Sequence, residues 1–171
     1  MKQLLVIPFV IIILALLLAL YFFLQILYAK HLTELLKAHT VPYSNESDDT
    51  KKTLLVIGDS TAVGIGASTT TDSIPSLVAK KISATYTENY AISGSVVSSL
   101  ASQIKNAKRA HYSLILVQIG ANDIVARHDV IQITNDLKKI LIELSKRGDR
   151  IVVVTAGNIG GAPAIPFLLH P

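Results

Sequence analysis

Four short strand-like segments, most of them apolar and each ending in small or polar residues, constrain this chain more than any other feature: residues 53–57, 87–92, 113–119 and 151–155. The first, Thr53-Leu54-Leu55-Val56-Ile57, is unbroken and stops at Gly58-Asp59-Ser60. An apolar run of about four to eight residues bounded by turn residues suits a strand buried on both faces. Helical patterns lie between the runs. After a loop rich in Gly, Ser and Thr, Asp72 or Ser73 can cap a helix that carries Pro75 in its first turn and reaches about residue 84. Residues 96–107 fit a short amphipathic helix. Residues 130–146 fit a longer one, apolar at Ile133, Leu137, Ile140, Leu141 and Leu144, with Gly148 as its stop. Buried-type strands alternating with helices call for an α/β fold, a parallel sheet with helices on both faces.

The N-terminus follows different rules. Residues 4–27 carry no charge and almost no polar group besides Gln25. About 20 such residues span a bilayer as one helix. Pro8 falls in the first turns, where it costs little, and Tyr21, Phe22, Phe23 and Tyr28 can place rings near one interface. The exit from the run, residues 25–30, has no small-x-small cleavage pattern, and the chain has no cysteine to take a lipid. The expected organisation is an uncleaved transmembrane signal anchor over residues 1–29, a juxtamembrane stalk over 30–52 and a globular domain over 53–171. The stalk begins as an amphipathic continuation of the helix. It then loses apolar periodicity around Pro42, Ser44, Asn45, Ser47, Asp48, Asp49 and Thr50. Lys2 stands before the span and Lys30 and Lys37 after it, so charge does not set the orientation.

Composition excludes some classes. The formal net charge is +4, but the lysine pairs 51–52, 80–81 and 138–139 are scattered over several elements with no interleaved aromatics. They read as solvated helix surface, and no nucleic-acid partner is expected. Zero cysteines exclude disulfides and thiolate metal sites. Asn45-Glu46-Ser47 fits a glycosylation sequon and Arg147-Gly148-Asp149 an adhesion tripeptide. Both patterns are short enough to arise by chance, and the second sits in a helix-to-strand turn.

Chemistry points to the strand ends. In a parallel sheet the first three runs deliver Ser60, Gly94 and Asn122 to one edge, where ligands bind in open α/β sheets. Each residue has a plainer role: Asp59 or Ser60 as a helix cap, Gly94 as a turn, Asn122 as another cap. Together they supply what acyl transfer requires, a hydroxyl that attacks and donors for the oxyanion that develops. No Gly-Lys-Ser/Thr follows the glycine loop, Gly64-Ile65-Gly66 lacks the third glycine of a dinucleotide fingerprint, and Gly58-Asp59-Ser60-Thr61-Ala62 lacks the second glycine of a nucleophile elbow.

These segments resemble the SGNH hydrolases, also called GDSL esterases and lipases. Gly58-Asp59-Ser60, the stretch from Asn89 to Ser93-Gly94, and Gly120-Ala121-Asn122-Asp123 match that family's first three sequence blocks in order. The resemblance covers about residues 53–158. It implies a flavodoxin-like three-layer α/β fold with strand order 2-1-3-4-5 and hydrolysis of ester or related acyl bonds. It implies Ser60 as nucleophile, Ser60, Gly94 and Asn122 as the oxyanion hole, Asp59 and Asp123 as supporting residues, and no metal or organic cofactor. The family's fourth block, Asp-x-x-His, supplies base and orienting carboxylate, and it occurs nowhere in the chain. His31 and His39 lie beside the membrane, and His111 precedes a strand on the far edge. His128 follows the Asn122 turn on the near edge, within reach of the site, but matches no family position, and His170 has Phe167 where Asp is expected. The general base is therefore unassigned. The 171 residues read as a fragment lacking the last strand and helix, and as a poor hydrolase in themselves. The expected substrates are small-molecule, lipid or glycan esters at the cell envelope: lipid esters, thioesters or glycan acetyl groups outside the cytoplasmic membrane. The rival is a non-catalytic envelope module of the same fold, used for binding or scaffolding.

Overall fold

The structure is a computed structural model and describes residues 2–47 and 51–156. The sequence reading at Asn158 and at His170 lies outside the described residues, as do Asp48, Asp49 and Thr50 of the stalk. The described residues divide into two units, the first up to Ala38 and the second from His39 onward.

In the first unit, α1 (Lys2–His39) runs through the apolar N-terminus and past it. Its stretch Pro8–His39 is long and apolar enough to cross a membrane. Phe9, Leu16 and Tyr28 all stand exposed along it, so the helix shows apolar surface all round rather than one stripe. Pro8 sits inside the helix.

The second unit is an α/β sandwich around a five-stranded sheet. Its strands are β1 (Asn45–Glu46), β2 (Thr53–Gly58), β3 (Tyr86–Asn89), β4 (Leu114–Ile119) and β5 (Ile151–Thr155). The spatial order is β1-β3-β2-β4-β5. β3, β2, β4 and β5 are parallel, so the four expected strands take the expected order 2-1-3-4. β1 is an addition, built from two residues of the segment read as stalk. It pairs antiparallel with β3, Asn45 opposite Thr87 and Glu46 opposite Tyr86.

Alternation along the central strands fills two layers. Leu55 and Ile57 of β2 face one core with Ile115, Val117 and Ile119 of β4, beneath Leu100 and Ile104 of α4 (Leu100–Lys105) and Ile140 and Leu144 of α6 (Val130–Leu144). Leu54 and Val56 face the other with Leu114 and Leu116, beneath Ala62 and Val63 of α2 (Ser60–Val63) and Ala79 of α3 (Ile74–Ile82). β2 and β4 are buried at every position, as suits their largely apolar runs.

Local chemistry sets most boundaries. Ser73 caps α3 by accepting the Ser76 N–H, and Pro75 lies in its first turn. β3 ends at Asn89, short of residue 92; the Asn89 side chain accepts the Ala91 N–H at 3.0 Å, while the Tyr90 and Ile92 N–H groups still reach β2 carbonyls. The predicted helix over 96–107 begins with a 3-10 turn at Val97–Ser99 before α4. α6 ends at Leu144, with Ser145 as its C-cap, and Gly148 bridges to Tyr112 instead of capping the helix. Two short helices, α2 and α5 (Ala121–Val125), begin where only turns were expected, directly after β2 and β4.

One carboxylate is buried away from the sheet's carboxyl edge. Glu88 of β3 is 2% exposed and accepts the Tyr86 and Tyr112 hydroxyls at 2.7 and 2.6 Å and the Lys108 N–H at 3.0 Å. Burial pushes its pKa up, but the donors from Tyr112, Tyr86 and Lys108 outweigh burial and hold the carboxyl below its ordinary value. Burial together with the Glu88 bond pushes the Tyr112 hydroxyl up. The Arg109 guanidinium lies 4.2 Å over the Tyr86 ring, closing the cluster from outside.

Candidate active site

The site begins with the register of the sheet. Gly58 at the end of β2 lies opposite Gln118 of β4, and Asp59 N–H then donates to the Gln118 carbonyl at 2.9 Å. Ser60, after β2, and Asn122, after β4, therefore leave the same edge from adjacent parallel strands. Gly94 follows β3, which pairs with β2 on its other side. A Cβ at Gly58 would stand 2.0 Å from the Gln118 carbonyl oxygen, and its φ is +147°, so glycine is required there on two counts.

Asp59 is 2% exposed and caps α2: its Oδ1 accepts the Thr61 N–H at 2.9 Å and the Thr61 hydroxyl at 2.8 Å. Capping and a catalytic role for the next residue are thus compatible, since the capping falls to Asp59 and leaves the Ser60 hydroxyl free. Ser60 is half-buried and opens α2. As a first helical residue, its N–H has no partner within the helix. Neither it nor the Gly94 N–H has a partner among the described residues. Gly94 is exposed at φ +85°, with nothing within 4 Å of where a Cβ would stand. Asn122 is half-buried on α5, and its Nδ2 donates to the Ser95 carbonyl at 2.8 Å. An amide nitrogen has two hydrogens, so one remains available to a ligand.

Side chains lock these turns together. Asn89 Nδ2 donates to the Ala62 carbonyl of α2 at 2.9 Å. Gln103 Oε1 accepts the Gly58 N–H at 2.8 Å, while its Nε2 donates to the Gly58 carbonyl and to Ser95 Oγ, both at 2.9 Å. Asp123 is 3% exposed, and its Oδ2 accepts the Val97 N–H at 3.0 Å. A continuous set of bonds thus runs from the Ser60 turn through Gln103 and Ser95 to Asn122, and Asp123 ties α5 to the segment after Gly94. Sequence reasoning missed Gln103 and the bonds of Asn89. A glutamine flanked by Leu100 and Ile104 on the apolar face of a helix was the available signal.

The histidines sort by position. His111 Nε2 pairs with Asp149 at 2.8 Å, before β4 begins. His128 Nδ1 lies 3.2 Å from Asp123 Oδ1. The two line a cleft with Val97, Ser98 and Gln132 that does not include Ser60. The described residues contain no group of three or more His, Cys, Asp or Glu placed to hold a metal ion.

Comparison with known proteins gives the family and the fold. The model of the GDSL-like lipase/acylhydrolase family matches residues 56–169, about two thirds of the chain. The chain belongs to the GDSL-like lipase/acylhydrolase family. Among solved structures, the SGNH-hydrolase family esterase AlinE4 is similar at 23% identity and a TM-score of 0.51, over 63% of this chain and 60% of that one. A G-D-S-L-family protein from Desulfitobacterium hafniense DCB-2 is similar at 16% identity and a TM-score of 0.50, over 63% of this chain and 58% of that one. At these identities the likeness is one of fold. The chain spans about 60% of the length of the first of these relatives. No curated protein matches it.

Proposed function

We propose that this protein is a membrane-anchored serine esterase in which Ser60 is the nucleophile and the Ser60 N–H, the Gly94 N–H and the Asn122 amide form the oxyanion hole. The observation that carries the reading is the bonded set from Gly58 through Gln103 and Ser95 to Asn122, which holds turns from three strands at one edge. In this reading Ser60 Oγ attacks the carbonyl carbon of an ester. The carbonyl oxygen takes up the charge between the three donors, and the alcohol leaves with a proton. Water then cleaves the acyl-serine and returns the hydroxyl. Asp59 supports the site by holding the turn before the nucleophile, and Asp123 by holding α5 to the Val97 segment.

A serine hydroxyl needs a base within hydrogen-bond reach to attack at a useful rate. His111 pairs with Asp149 before β4 begins, and the cleft that His128 lines with Asp123 does not include Ser60. We assign the base to neither of these two histidines. The apolar N-terminal helix supports anchoring, and we place the hydrolase unit on the extracytoplasmic side. Lipid esters, thioesters and acetyl groups on envelope glycans are the substrate classes this placement favours.

The test is labelling with a serine-directed fluorophosphonate, using protein expressed from its complete reading frame. The adduct is expected on Ser60, and Ser60→Ala should reduce labelling and ester turnover to background. Turnover that survives Ser60→Ala, or that is lost on changing His128, would refute the assignment. A folded protein that takes up no probe would favour the non-catalytic binding module.

A further inference from the structure

Gln103 is the buried polar side chain on a helix face otherwise given to Leu100 and Ile104, all three at 0% exposure. Its carboxamide oxygen takes the Gly58 N–H, and its nitrogen serves the Gly58 carbonyl and Ser95 Oγ. A carboxamide nitrogen has two hydrogens to give, and both are used. Gly58 lies two residues before Ser60 and Ser95 one residue after Gly94, so a single side chain from α4 spans the nucleophile turn and the oxyanion turn.

The sheet does not hold these turns together by itself. The β2–β3 ladder ends at Val56 and Asn89. Beyond it, only the Tyr90 and Ile92 N–H groups bond back to β2, at the Val56 and Gly58 carbonyls, before the chain turns at Gly94. The Gly58 N–H is buried and Gln103 is its acceptor. An apolar residue at 103 would fill the same space but leave that N–H unsatisfied and remove the link from Ser95 Oγ to the Gly58 turn.

We propose that Gln103 is a positioning residue for ester hydrolysis, setting the distance between Ser60 Oγ and the Gly94 N–H without touching substrate. The role rests on the reading of Ser60 as nucleophile. It acts on a quantity to which catalysis is steeply sensitive, since a displacement of about 1 Å can cost roughly 100-fold in rate.

The experiment uses the protein from its complete reading frame in detergent. It follows the rate of fluorophosphonate labelling at Ser60 and the kcat and KM for a short-chain p-nitrophenyl ester. Gln103→Met keeps nearly the volume and removes all three bonds. Labelling and kcat should fall about 10- to 100-fold, with KM within about twofold of the parent, because the lost function is alignment. Ser95→Ala removes only the bond to Ser95 Oγ. It should slow labelling about 3- to 10-fold at unchanged Tm, and add little in the Gln103→Met background because the two changes break one connection. Should Gln103→Met not fold, Ser95→Ala decides: slow labelling at unchanged Tm supports the role, and labelling at the parent rate overturns it. Two folded variants that both label at the parent rate overturn the role of Gln103 alone and leave the hydrolase reading intact. A loss of turnover matched by an equal loss of folded protein, with the folded fraction fully active, overturns it as well. No labelling of the parent at Ser60 overturns the hydrolase reading and this role together.

Discussion

At the scale of single residues, two glycines at the candidate site answer to different constraints, and substitution should separate them. Gly58 has both a positive φ and no room: an added Cβ would lie 2.0 Å from the Gln118 carbonyl oxygen and 2.9 Å from the Ala62 Cβ. Neither neighbour can yield without parting β2 from β4 or α2 from the sheet. Gly58→Ala should cost about 3 kcal/mol or more, combining overpacking with backbone strain, and should yield little folded protein. Gly94 has a positive φ and open space, so Gly94→Ala meets only the conformational penalty, about 1–2 kcal/mol. Thermal unfolding should show a folded Gly94→Ala protein with Tm lowered by several degrees, and equal effects of the two substitutions would contradict the geometry. Asp59→Ala, which removes the α2 cap, should cost about 1 kcal/mol by the same measurement.

At the scale of elements, the Glu88 cluster braces β3 against the segment that leads from α4 into β4. Its carboxylate is satisfied by two tyrosine hydroxyls and a backbone N–H, and its pKa lies below the ordinary value of 4.5. A depressed folded-state pKa contributes stability that is present above the unfolded value and lost as pH falls through the folded one. Glu88→Gln should therefore destabilise the protein by about 1–3 kcal/mol near neutral pH. The gap between variant and parent should narrow as pH is taken below 4.5. A gap that stays constant down to acid unfolding would show that Glu88 is not charged in the native state. This cluster was not legible in the sequence: Tyr86, Glu88 and Tyr112 sit in or beside strand patterns, and nothing local to any of them signals a shared centre. The parallel strands were legible, because a strand buried on both faces must be mostly apolar, as β2 and β4 are apart from Thr53 and Gln118. β1 was not, since two polar residues that add to a sheet edge through their backbones leave no side-chain pattern. The short helices α2 and α5 were hidden for a related reason: one turn of helix after a glycine reads the same as a loop. Among the site residues, Ser60, Gly94 and Asn122 could be placed from strand ends, whereas Gln103 acts through contacts 45 residues apart in the chain.

At the scale of the whole molecule, the chain joins an apolar helix to a GDSL-family hydrolase fold. The helix is long and apolar enough to cross a membrane, and the proposed placement of the hydrolase unit outside the cytoplasm carries its own test. Protease added to intact cells should cut the segment after α1 and release the hydrolase unit. Protection until lysis would place that unit in the cytoplasm and remove envelope esters from the substrate classes. The central claim is that Ser60 becomes acylated, and mass mapping of the fluorophosphonate adduct tests it most directly. On protein from the complete reading frame, the account predicts one adduct, on Ser60, formed slowly in Gln103→Met and absent in Ser60→Ala. An adduct on another residue, or labelling that persists in Ser60→Ala, would contradict it.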